Sequence, residues 1–240
     1  MRKARRPAAT ALALALALQL GAAVPAAAAD ITAIAGYENG NSPLNLTQIA
    51  RYVSGQFNVD GGVMEIVAYN QSNGFAYAIN GQSGLLAAIS LENLAVGDSV
   101  ARLSGTDIDV KALVEAADSS FRYGDMTSVA VSPDSTTLAA ALQAEGYNDA
   151  GRVALFTCNS DGTLTLKGLV ETGVQPDMVT FADNNTVLTA DEGEPREGYG
   201  DGIADPRGSV TVVDGSALTS EVVGFDAFDG RRGGLAAPGG

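Results

Sequence analysis

Residues 189–214 read TADEGEPREGYGDGIADPRGSVTVVD. Six carboxylates stand close together here: Asp191, Glu192, Glu194, Glu197, Asp201 and Asp205. Gly193, Gly198, Gly200 and Gly202 let the backbone turn tightly among them. Calcium takes about six to eight oxygen ligands from carboxylates and carbonyls on such a turning chain. Asp191, Glu192, Glu194, Asp201 and Asp205 are therefore the candidate metal ligands, and Ca2+ is the one candidate cofactor. The spacing departs from the EF-hand pattern of alternate acids with a distal Glu. Two other readings stand beside the cation site. The loop is solvated, with Arg196 and Arg207 paired to neighbouring acids, or two of its carboxylates do acid–base work on a bond. The solvated loop ranks first and catalysis last, and no catalytic residue is assigned.

The rest of the chain narrows the chemistry. It has no histidine, which removes the usual general base, the usual zinc ligand and every Ser-His or Cys-His pair. The one cysteine, Cys158, lies in the strand-like run VALFTCN and reads as a core residue. Neither a nucleophile elbow nor a P-loop is present. Phosphate chemistry would need a metal cluster or cations around the anion, and Arg196 and Arg207 are the only local cations.

The first 29 residues combine a basic start, an apolar run and an A-x-A pattern at Ala27-Ala28-Ala29. That layout predicts a signal peptide over 1–29, cleaved before Asp30, and a secreted or cell-surface protein. The apolar run is too short for a transmembrane helix, and the mature chain is expected to hold none. Cleavage leaves 10 basic and 28 acidic side chains, a net charge near −18. Such a surface repels nucleic acid and favours cations or basic partners.

The elements that must carry the acidic loop read as β. Alternating runs lie at 63–70, 75–80, 85–91, 127–132, 137–142, 152–158, 163–170, 177–182, 186–190 and 209–214. Turn residues such as Asn73-Gly74, Pro133-Asp134, Asp161-Gly162 and Asp214-Gly215 separate them. One segment, 106–121, has helical spacing, with Asp107 or Asp109 as cap. The runs recur as a set over 65–91, 127–164 and 177–218. Each set has a strand, a polar turn, a second strand, a variable connection and a third strand, with a fourth in TLTLKGLV. A meander repeated at about 50 residues predicts a β-propeller with YVTN- or WD-repeat-like blades, in which each sheet buries its faces on its neighbours. The variable connection grows from three to nine to roughly eighteen residues, and its longest form is the acidic loop.

These residues also carry a resemblance. TADEGEPREGYGDGIADPRGSVTVVD is similar to the T-A-N-E-G-[ED]-x-R-E segment of the choice-of-anchor I family, itself similar to mesenchyme-specific cell-surface glycoprotein. GGVMEIVAYNQSNGFAYAINGQSGLLAAISL and DMTSVAVSPDSTTLAAA resemble that family's first two blades, and the likeness runs from Gly36 to Asp229. Asp191 stands where the family often has Asn. The resemblance implies a secreted or surface-attached propeller with blades over 30–229, acting as a binding module for an extracellular protein or glycan. A tail at 230–240 is expected to be disordered. Three repeats fall short of the four to eight blades of a closed ring, so an incomplete propeller, part of a longer protein, is expected. An alkaline-phosphatase label carried by some relatives implies the alternative, a metal-dependent phosphoester hydrolase. Nothing in the residues themselves commits the chain to catalysis.

Overall fold

The computed structural model describes residues 48–59, 62–97, 99–198 and 200–231. The expected signal peptide lies outside the described residues, as does all of the expected tail beyond Arg231. The chain divides into two compact units. The smaller, Met1–Ile49 with Val96–Val100, is almost wholly outside the described residues. The larger, Ala50–Ala95 with Ala101–Gly240, carries every element below.

The larger unit is all-β. Its strands are β1 (Ala50–Tyr52), β2 (Met64–Asn70), β3 (Phe75–Asn80), β4 (Leu85–Ser90), β5 (Ala101–Leu103) and β6 (Gly105–Ile108), followed by β7 (Tyr123–Val131), β8 (Thr137–Ala144), β9 (Ala150–Cys158) and β10 (Leu164–Val174). Then come β11 (Pro176–Phe181), β12 (Thr186–Asp191), β13 (Ser209–Asp214) and β14 (Thr219–Gly224). They form three four-stranded antiparallel sheets, β2-β3-β4-β6, β7-β8-β9-β10 and β11-β12-β13-β14, and a short parallel pair, β1-β5. One helix, α1 (Val110–Ala117), leads from the first sheet to the second, and a 3-10 helix follows β14 at Asp226–Arg231.

The helix is shorter than the expected 106–121. Gly105–Ile108 pairs with β4 instead, and the Asp109 carboxylate caps the helix by accepting from the Ala112 N–H at 2.9 Å. The helix buries Val110 and Val114. Aspartates organise the hairpins in the same way. Asp134 accepts from the Ser132 hydroxyl and the Thr136 N–H, Asp161 from the hydroxyl and N–H of Thr163, Asp183 from the N–H groups of Asn185 and Thr186, and Asp214 from those of Ala217 and Ser216. These bonds favour the ionised forms and hold all four carboxyls below their ordinary range.

The sheets stack face to face. Tyr77, Ile79, Leu86 and Ala88 of the first meet Leu138, Ala140, Leu142, Ala154 and Phe156 of the second, with α1 on the same core. The second sheet's other face, with Ala139, Ala141, Val153 and Leu155, meets Val179, Val187 and Val213 of the third. The middle sheet is thus apolar and buried on both faces, as its near-continuous run TLAAAL anticipates. Polar side chains tie neighbouring hairpins together. Asn70 Nδ2 donates to the Ser135 carbonyl at 2.8 Å, and the Asp134 N–H donates to Asn184 Oδ1 at 3.0 Å.

Candidate functional site

The second-to-third-strand connection occupies the same place in each sheet. It is the turn 81–84 in the first, residues 145–149 in the second and residues 192–208 in the third. The last contains the acidic cluster. Its base is fixed by the register pair Asp191–Ser209. Its two limbs then approach closely: a Cβ on Gly193 would lie 2.6 Å from the Arg207 carbonyl carbon, and Gly193 has φ +57°. Only glycine fits both demands.

Gln175, between β10 and β11, clamps the loop from beneath. It is 2% exposed and holds φ +57°, which is uncommon for a residue with a side chain. Its Nε2 donates to the carbonyls of Tyr147 and Glu194, both at 2.8 Å. Its Oε1 accepts from the Glu194 N–H at 3.2 Å, and its carbonyl accepts from the Glu192 N–H at 3.0 Å. One side chain therefore joins the 145–149 connection to the acidic loop. Arg196 donates to Gln143 Oε1 on β8, and Arg207 pairs with Asp226 beyond β14, so both arginines reach out of the loop.

The result is an open cleft of about 470 Å³ lined by Glu192, Gly193, Glu194, Pro195, Asp205, Pro206 and Gly208. Of the five candidate ligands, Glu192, Glu194 and Asp205 line this cleft; Asp201 is exposed and is not part of its lining. Asp191 points elsewhere. It is 3% exposed and accepts from the hydroxyls of Thr189 at 2.7 Å, Ser209 at 2.8 Å and Thr211 at 2.6 Å. The Thr211 hydroxyl in turn accepts from the Gly173 N–H. A carboxylate so enclosed anchors the strand ends from which the loop departs. Among the described residues, no three His, Cys, Asp or Glu side chains converge as a metal centre does.

Sequence reasoning missed Gln175, and nothing in VQPD marks it. It did place the loop, and alternation along TVLTAD puts Asp191 on the inward face with Val187. Two other groups of chemical interest are structural. Burial pushes the Cys158 thiol up, so little thiolate forms at neutral pH. Burial also raises the Tyr123 phenol. A smaller hollow of about 220 Å³ borders Arg152, whose guanidinium is engaged by Glu171 at 3.2 Å, by Asp118 at 3.8 Å and over the Phe121 ring.

The profile of the choice-of-anchor I domain matches residues 65–239. The chain belongs to the choice-of-anchor I domain family. The match takes in all three four-stranded sheets apart from the first residue of β2, together with the cleft. No curated protein matches the chain. Among solved structures, this choice-of-anchor I chain is similar to a 6-phosphogluconolactonase-like protein of Bacteroides fragilis at 19% identity, over 75% of this chain and 42% of that one, with a TM-score of 0.45. It is similar to a second such protein, from Bacteroides uniformis, at 18% identity over 66% and 38%, with a TM-score of 0.45. It is also similar to hydrazine synthase of Kuenenia stuttgartiensis at 16% identity over 67% and 37%, with a TM-score of 0.42. The chain spans less than half the length of each. Among the described residues no helix is long and apolar enough to cross a membrane.

Proposed function

We propose that this chain is an exported, surface-associated binding module, built from three blades of a β-propeller that needs further sheets to close. The repeated four-stranded meander, stacked through both faces of its middle member, supports the propeller reading. Membership of a family whose domains carry interchangeable anchors supports surface attachment. The likeness to mesenchyme-specific cell-surface glycoprotein belongs to the same reading. An N-terminus at Asp30 in secreted material tests export, and one still at Met1 rejects it.

The binding site in this reading is the clamped acidic cleft. The observation that carries it is Gln175, whose buried side chain ties the 145–149 connection to the backbone of Glu194 in a cleft that Glu192, Glu194 and Asp205 also line. Carboxylates at the rim of a pre-formed cleft suit a cationic ligand, either Ca2+ or a basic patch of an extracellular partner. Calorimetric titration with calcium, alongside Glu192→Gln, Glu194→Gln and Asp205→Asn, tests the cation. Heat that disappears in these variants supports the site. No heat and an unchanged melting temperature remove calcium as the ligand. No feature of the cleft favours phosphoester hydrolysis.

A further inference from the structure

We draw no further inference here: the strongest candidate, the outward apolar face of the third sheet around Met178 and Val223, is an unpartnered sheet face, and nothing in the structure shows what covers it.

Discussion

Asp191 gives the sharpest test of how the loop is held. Replacing it with Ala removes the acceptor for three hydroxyls at 2.6–2.8 Å in a site that is 97% shielded. Hydrogen bonds to a charged group contribute about 1.5–3 kcal/mol each. Their sum is offset by several kcal/mol, because the substitution also removes a buried ion. The net expected loss is about 2–4 kcal/mol. For a domain of this size 1 kcal/mol moves the melting temperature by about 2–4 °C, so Asp191→Ala should melt roughly 5–15 °C lower. Asp191→Asn keeps the shape and one acceptor and should lose about 1–2 kcal/mol. Thermal and urea denaturation followed by circular dichroism measure both. Calcium heat, if the wild type gives any, should persist in folded Asp191→Asn, because this carboxyl lies outside the cleft. The reasoning fails if Asp191→Ala melts with the wild type, or if Asp191→Asn loses calcium binding at unchanged stability.

Gln175→Ala should cost about 1–3 kcal/mol and speed hydrogen exchange at residues 192–194, while amides of β8 and β9 stay protected; uniform protection would refute the clamp. Gly173→Ala would place a Cβ 2.6 Å from Asp191 Oδ2 and against Ser209 Oγ, so a loss of about 1–3 kcal/mol is expected in urea titrations. Acid should destabilise the fold through the hairpin aspartates. Asp134, Asp161, Asp183 and Asp214 titrate lower folded than unfolded, so their contribution is present above about pH 4 and is lost as the pH falls through the folded values. Melting temperatures from pH 7 to pH 3 should show this decline, and Asp134→Asn should flatten part of it.

Ten of the strands were legible because alternation and turn residues agree, as in FAYAIN and SVTVVD. β14 was not: TSEVVG mixes polar and apolar residues without a clear period and takes its strand form from the ladder with β13. β1 and β5 are three residues each, pair with each other and set Tyr52 and Leu103 against the first sheet, and segments so short carry no alternation to read. The spacing of Val110, Leu113, Val114 and Ala117 marks a helix but not its start, and residues 106–108 go to the ladder with β4 while the capping bond at Asp109 sets the first helical residue at Val110. At the site, the loop and its acids could be read, but their directions could not. Asp191 turns inward because strand pleat outranks charge at a residue with three hydroxyl neighbours. Gln175 left no trace in the sequence, since its three long-range side-chain bonds depend on how the second and third sheets pack.

The pairing of Asp191 with Ser209 closes the ladder before the acidic loop begins, so loop length and strand register are uncoupled. Chain can be inserted or exchanged between those two residues without shifting any core side chain, provided the Gly193 crossing and the Gln175 anchor are kept. The three connections, differing in length at one shared position, look like successive uses of that freedom. A lineage could therefore change what this surface recognises many times over while its sheets drift slowly. In the laboratory, residues 195–206 offer the same latitude as a graft site for displayed peptides.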